Sequence, residues 1–313
     1  LEVKARVTVS LEDLMLLKAE ARGFSLLPRQ PVNSLLAGRH ASRLRGRGLA
    51  FEELRQYHQG DDIRTMDWKA TARLRSPQVR VYSEERERPV LLVVDQRPAM
   101  FFGSRRAMKS VAAAELAALA AWRALLGGDR VGGIVVGEHE IVEIRPHRSQ
   151  TRVLQLFHEI VRLNFGLSQP SSEPSASPRE SISINDALAR AVQVAKHDHL
   201  VVLISDWDGA DDETQRLTTR LAAHNDVLVV AVYDPLGASL MGSPGMLASD
   251  RGRVWEVPSS GDFTTGFQQT FQRRLDEWRE IFRALRVPVL PLSTSRGVPE
   301  QVRFLFGHRP SNA

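Results

Sequence analysis

The sequence contains no cysteine. That excludes a disulfide framework and a thiolate metal centre, and it fits a reducing compartment. No stretch approaches the ~18 consecutive apolar residues of a membrane-spanning helix. The longest quiet run, Val111–Ala121, is rich in alanine and interrupted by Glu115. The first residues, Leu1-Glu2-Val3-Lys4, lack the layout of a secretory signal, and the missing initiator methionine suggests a start within a longer protein. The expectation is a soluble, cytoplasmic protein. The motifs of the commoner hydrolases are missing as well: there is no P-loop, no His-Glu-x-x-His and no Gly-x-Ser-x-Gly elbow. The acids Asp206, Asp208, Asp211 and Asp212 lack the central glycine and terminal glutamate of a calcium loop. Asp211, Asp212 and Glu213 read instead as acids gathered at a helix start. His197 and His199 flank Asp198 just before an apolar run and read as surface residues of a turn. No internal repeat is visible. The sequence predicts a protein that is not an enzyme.

What is present is ordinary for a globular chain. The 313 residues are 42% hydrophobic and 25% charged, enough for one large or two ordinary domains at roughly 100–200 residues each. The formal net charge is +5 and the charge is unevenly spread. Arg39, His40, Arg43, Arg45 and Arg47 form a basic run with no acid among them. Such a run can attract nucleic acid, an anionic surface or an acidic protein face, or can be a solvated loop that pairs with acids elsewhere. No Phe, Tyr or Trp lies between Phe24 and Phe51. Stacking on bases is therefore excluded there, and phosphate attraction alone would be weak and salt-sensitive.

Hydropathy patterning predicts a helix over Ser10–Arg22, with Ser10 and Asp13 as a capping box and Leu14, Leu17 and Ala21 at helical spacing. Gln78–Glu85 alternates as a strand does. From Pro89 onward, buried strands and helices alternate. Strands are predicted over Val90–Val94, Val131–Val136, Leu200–Ile204 and Val227–Val232, with Glu140–Ile144 as a pairing partner. Helices are predicted over Arg106–Leu126, Thr151–Leu163, Ile184–Ala195 and Asp212–His224. In the first of these, Val111, Leu116, Leu119, Trp122 and Leu126 fall mostly on one side. Gly166–Arg179 is rich in serine and proline and reads as a loop. The tail carries a short strand at Arg253–Val257, a long helix at Phe263–Leu285, a strand at Val287–Leu292 and a last helix at Glu300–Phe306. Continuous apolar runs are expected of strands buried on both faces. The fold class is therefore α/β, with a doubly wound, mainly parallel sheet. Residues 1–88 would form an N-terminal extension of helix, basic segment and irregular or β structure, and residues 89–313 the α/β domain with its Ser/Pro loop.

Open parallel sheets bind ligands beyond the carboxyl ends of their strands. Asp95 and Asp206 fall at two such ends, and Asp208 follows. This arrangement resembles the von Willebrand factor A domain. That fold carries Asp-x-Ser-x-Ser after its first strand, a threonine in a later loop and an aspartate after its fourth strand, which together hold a divalent metal ion. Asp95 and Asp206 match the two aspartates. The serine positions carry Arg97 and Ala99, and the threonine is at best replaced by Ser183. Ala99 offers no oxygen. An Arg97 cation a few ångströms from a metal ion would cost several kcal/mol at an effective dielectric of ~20. The resemblance therefore implies a degenerate adhesion site without a tightly held Mg²⁺, and no other cofactor is expected. Arg97 would pair with Asp95 or Asp206 in place of the ion. Metal-dependent protein binding through a surviving Asp95/Asp206 site is the alternative. Trp207, between the two acids, is either an exposed recognition residue or packed beneath the loop.

A wider resemblance covers most of the chain. The run Gly48…Phe51-Glu52-Glu53-Leu54-Arg55…Tyr57…Gly60-Asp61-Asp62-Ile63-Arg64…Asp67-Trp68…Ala72-Arg73 is similar to the signature of the domain-of-unknown-function family 58. In that family the signature precedes a von Willebrand A-like fold. The resemblance implies a partner or adaptor of a MoxR-type AAA ATPase in chaperone-like assembly of other proteins, and the short, soluble type of that family. Within the signature, Asp61, Asp62 and Asp67 alternate with Arg55, Arg64 and Arg73, and arginine forks bind carboxylates in a bidentate way. Two readings follow: a docking surface for the ATPase, or a clasp that locks the segment onto the sheet domain with Trp68 as its buried anchor.

Overall fold

A computed structural model of the chain describes residues 6–22, 24, 49–59, 61–84, 88–169, 181–237, 247–250, 253–258, 260–284 and 287–306. The basic run Arg39–Arg47 and residues 170–180 of the Ser/Pro-rich stretch lie outside them. The chain divides into two compact units, Leu1–Leu36 with Arg88–Ala313, and Ala37–Glu87. The N-terminal helix goes with the larger unit.

In chain order, helix α1 (Leu11–Leu16) is followed by β1 (Leu49–Gln56), α2 (Trp68–Leu74) and β2 (Gln78–Glu84). The larger unit resumes with β3 (Val90–Asp95), α3 (Lys109–Leu126), β4 (Val131–Val136), β5 (Ile141–His147) and α4 (Gln150–Leu167). It continues with α5 (Ile184–Val194), β6 (Leu200–Ser205), α6 (Asp212–Ala222) and β7 (Asp226–Tyr233). The hairpin β8 (Leu247–Asp250) and β9 (Arg253–Glu256), the long helix α7 (Gly261–Ala284), β10 (Val289–Ser293) and α8 (Val298–Phe306) complete it.

The central sheet has six strands in the order β10-β7-β6-β3-β4-β5. All neighbours are parallel except β5, which runs antiparallel to β4 along one edge. Successive side chains of a strand point to opposite faces. Val90, Leu92 and Val94 of β3 therefore enter one core with Leu200, Val202 and Ile204 of β6, while Leu91, Val93, Val201 and Leu203 enter a second. Helices α1, α3, α4 and α8 supply the first core, and α5 and α6 the second. This is the doubly wound α/β fold that the apolar runs predict. Gly132 and Gly133 suit β4 to its crowded place. A Cβ on Gly133 would stand 2.5 Å from Leu156 Cδ1, and one on Gly132 would stand 2.5 Å from the Ile144 carbonyl oxygen.

Two expectations about helices need correction. In α3 every residue from Ser110 to Trp122 is buried, so there is no single apolar stripe, while Leu126 is exposed. The reason is a cover that the spacing does not reveal. The N-terminal segment and α8 pack on the face that would otherwise meet water. Trp122 Nε1 donates to the Leu14 carbonyl at 2.9 Å, and Arg123 donates to the Phe24 carbonyl. Glu115, buried within α3, is held by Arg6 at 2.7 Å and by Arg106 at 3.0 Å. The first helix is also shorter than expected. Its capping box is present, with Ser10 N donating to Asp13 Oδ2 at 3.0 Å and Asp13 N donating to Ser10 Oγ at 3.1 Å. After Leu16, however, the chain tightens into i to i+3 bonds such as Lys18 N to Met15 O. Leu14 and Ala21 are still fully buried. Among the described residues no helix is long and apolar enough to cross a membrane.

In the smaller unit, β1 and β2 pair antiparallel with a bulge between Phe51 and Glu53. The sequence reading assigns no strand to Leu49–Gln56, whose mixed polar composition carries no clear alternation. The connection between the strands holds a 3-10 turn at Ile63–Thr65 and then α2. It is pinned back on β2 by Asp67 N to Gln78 O at 2.8 Å and by Gln78 N to Thr71 Oγ1 at 2.9 Å.

Candidate functional site

The carboxyl edge of the sheet brings acids from three adjacent strands into one row. Asp95 ends β3 with no exposed surface. Its Oδ1 accepts from Arg97 N at 2.9 Å and from Arg97 Nε at 3.0 Å. Its Oδ2 accepts from Arg97 Nη2 at 2.8 Å and from Ser205 Oγ at 2.7 Å. Arg97 Nη2 also reaches the Asp208 carbonyl at 3.4 Å. Burial acts to lower the guanidinium pKa. The Asp95 hydrogen bonds and the charges of Asp95, Asp206 and Asp208 outweigh it, so Arg97 stays charged, with its pKa raised above the ordinary value.

Asp206 is the second acid. Its Oδ2 accepts from Lys109 Nζ at 2.5 Å, and its Oδ1 accepts from Asp208 N at 3.0 Å. Lys109 opens α3 and is delivered by the preceding loop, where a Cβ on Gly103 would collide with the Ala107 carbonyl. Trp207 lies between the acids in the left-handed region, with φ of +59°, a backbone that costs a non-glycine residue on the order of 1 kcal/mol or more. Its surroundings hold it there. Trp207 N donates to Ser205 Oγ at 3.0 Å, and Nε1 donates to the Val230 carbonyl at 3.2 Å. Trp207 is only 1% exposed and belongs to the second core. The expectation of a partner-facing Trp207 is thereby overturned, because the left-handed turn drives the indole under the loop.

Asp234, at the end of β7, is the third acid, and its role in this row was not legible in the sequence. It is buried and accepts four bonds from neutral donors: Ser104 N and Oγ, Thr294 Oγ1, and Leu236 N. Ser104 belongs to the same loop that carries Lys109, so the two acids fasten one loop at two points. Beside Asp95, Gln96 Nε2 donates to the Ser110 carbonyl, and its Oε1 accepts from Asn164 Nδ2 at 2.9 Å. Asn164 Oδ1 in turn accepts from Val9 N at 3.0 Å.

The donor set does not fit a divalent cation. Both Asp95 oxygens are taken up, Lys109 holds Asp206, and the two places where a metal-binding loop needs hydroxyls carry Arg97 and Ala99. Ser183, the third expected ligand, caps α5. Its Oγ donates to Asp186 Oδ2 at 2.7 Å and accepts from Asp186 N at 3.2 Å. Among the described residues no group of three or more His, Asp or Glu side chains is placed to hold a metal ion. Asp211 caps α6 as the acid run predicts, accepting from Thr214 N at 3.0 Å.

The signature residues form a separate set within the smaller unit. Arg55 grips Asp61 with two nitrogens, Nη1 at 2.9 Å and Nη2 at 2.7 Å. Asp62 accepts from Arg64 N at 2.9 Å. Asp67 caps α2 through Ala70 N at 2.9 Å and pairs with Arg80 at 2.8 Å, an arginine outside the alternating set. These bonds close the segment on itself. Hydrogen bonds from Arg55 and the His58 backbone hold the Asp61 carboxyl below the usual range. Those from Ala70 N and Arg80 do the same for Asp67. Trp68 is 67% exposed rather than buried. Ile63 and Leu74 are exposed as well.

Comparison with known proteins gives the chain its relatives. Uncharacterized proteins of Mycobacterium bovis and of two Mycobacterium tuberculosis strains are each 27% identical over 296 residues, covering 94% of this chain and 90% of theirs. Residues 53–277 match the family described as protein of unknown function DUF58. That match takes in the signature segment from Glu53 onward and the strand-end acids, and with it the chain belongs to the DUF58 family.

Proposed function

We propose that the protein is a non-enzymatic interaction module built on a von Willebrand A-like body whose adhesion site is degenerate. It acts as a partner or adaptor of a MoxR-type AAA ATPase in chaperone-like assembly of other proteins. The observation that carries the proposal is the closed strand-end row. Arg97 and Lys109 neutralise Asp95 and Asp206 from within the chain. Acids engaged in this way neither ligate a metal nor serve as bases, so the row stiffens the loops that display the surface. The ATPase partnership rests on family resemblance. Exposed Trp68, flanked by signature residues that lock their own backbone, supports a docking role for the signature, since aromatic side chains on rigid elements commonly anchor partners.

The test is co-purification of the full chain with a MoxR-type ATPase from the same genome, with and without ATP. Nucleotide-dependent capture supports the proposal. Failure to capture in either state rejects the ATPase partnership, and steady turnover of hydrolase substrates by the isolated chain rejects the non-enzymatic part.

A further inference from the structure

Helix α2 turns one continuous side to solvent. At about 100° per residue, Trp68, Ala72, Lys69 and Arg73 follow one another around an arc of about 140°, and all four are exposed. Ala70 and Thr71 lie elsewhere on the helix and are half-buried, Thr71 as the acceptor for Gln78 N. Trp68 is the only large aromatic side chain exposed among the described residues of the smaller unit. Ala72 stands one turn on and is too short to cover an indole. Arg75, just past the helix end, is exposed too, and its φ of +53° is a left-handed value that favours glycine.

The acids of the signature are engaged within it. Arg55 grips Asp61, Asp62 holds Arg64 N, and Asp67 holds Ala70 N and Arg80. Lys69, Arg73 and Arg75 differ. Among the described residues their side chains enter no ion pair or hydrogen bond. The negative carboxyl end of α2 gives Arg73 a local reason to be there. Lys69 has the opposite setting, since it stands in the first turn, where the helix pole is positive. Nor do acids elsewhere in the unit cancel the surplus. Its sequence, Ala37–Glu87, holds eleven Lys and Arg against eight Asp and Glu, a net +3. An exposed indole flanked by unpaired cations complements an apolar side chain flanked by carboxylates. A nucleic-acid strand fits less well, because it is held by stacking successive bases on several aromatic rings.

We propose that this face of α2 docks an acidic segment of a partner protein, with an apolar side chain of that segment against Trp68 and its carboxylates toward Lys69, Arg73 and Arg75. This rests on the docking reading of the signature and adds the partner's chemistry. The experiment titrates a fluorescently labelled peptide, a run of glutamates interrupted by one leucine, with the full chain and follows anisotropy at low and physiological salt. Saturable binding is expected, weaker at the higher salt. Lys69→Gln and Arg73→Gln each weaken it about threefold, and Trp68→Ala about tenfold. Arg75→Gly weakens it about threefold as well, yet melts no lower than the native chain, because glycine suits the left-handed backbone. Arg220→Gln, at an exposed arginine of α6 with no ion pair among the described residues, leaves it unchanged. The proposal is overturned by an absence of saturable binding, by equal binding of the peptide with glutamines in place of its glutamates, or by equal weakening in Arg220→Gln. An oligothymidylate that binds more tightly than the peptide overturns it as well. Capture of the ATPase separates this from the docking reading. Capture that Trp68→Ala loses and the double variant Lys69→Glu with Arg73→Glu keeps overturns the acidic partner and leaves the docking role standing. With no capture by the native chain, docking to an ATPase falls, and the peptide titration alone decides the partner's chemistry.

Discussion

Arg97 holds Asp95 with a two-pronged grip, Nε on one carboxylate oxygen at 3.0 Å and Nη2 on the other at 2.8 Å. Both side chains are buried. Removing one partner of such a pair leaves an uncompensated charge and costs about 3–5 kcal/mol. Arg97→Ala and Asp95→Ala are each expected to lose that much in urea denaturation. The double variant is expected to lose less than the sum, because the second change removes the charge that the first left unpaired. Additive losses would show that the two residues act independently.

The same geometry predicts metal behaviour. Titration with Mg²⁺ or Mn²⁺ is expected to give no saturable heat with the native sequence. Arg97→Ser and Ala99→Ser supply hydroxyl oxygens, and Lys109→Ala frees Asp206. The triple variant is therefore expected to bind Mn²⁺, and adding Asp95→Ala abolishes that binding. Micromolar binding by the native chain that vanishes in Asp95→Ala would instead make metal-bridged capture of a partner carboxylate the working mechanism.

These residues also mark how far the sequence could be read. Val90–Val94, Leu200–Ile204 and Val227–Val232 were legible as strands because both faces of the sheet are buried, which leaves unbroken apolar runs. Asp95 and Asp206 were legible as neighbours because parallel topology aligns strand ends. Lys109 was not, since its reach to Asp206 depends on the course of a loop whose tight packing no local pattern announces. Asp234 was hidden for a similar reason, its donors Ser104 and Thr294 coming from remote loops. Trp207 had two open readings, and only its left-handed backbone decides between them. Trp68 also had two open readings, docking residue or buried anchor, because a tryptophan among charges gives no pattern that fixes its exposure; it is 67% exposed.

Asp61 and Asp67 both titrate below the usual carboxylate range in the folded chain, owing to Arg55 and to Ala70 N with Arg80 respectively. A carboxyl depressed in the folded state adds stability that is fully present above its unfolded pKa, about 3.9. That contribution is lost as pH falls through the lower folded value. The β1–β2 unit is therefore expected to keep its amide dispersion in NMR spectra down to about pH 4 and to lose it below. Asp67→Asn is expected to lower stability at neutral pH and to flatten this acid dependence. An unchanged acid profile in Asp67→Asn would show that the ion pair with Arg80 does not form in solution.

Two tryptophans separate surface from support. Trp68 is largely exposed, and Trp207 is buried with its indole nitrogen bonded to the Val230 carbonyl. Truncating an exposed side chain changes stability by about 0.5 kcal/mol or less, whereas Trp to Ala in a core costs about 3–5 kcal/mol. Trp68→Ala is therefore expected to melt with the native chain yet lose capture of the ATPase. Trp207→Ala is expected to melt much lower, while Trp207→Phe, which keeps most of the packing, retains capture at temperatures where it is folded. Full capture by Trp68→Ala would move the docking surface away from α2. Loss of capture by a well-folded Trp207→Phe would place it at the strand-end loop instead.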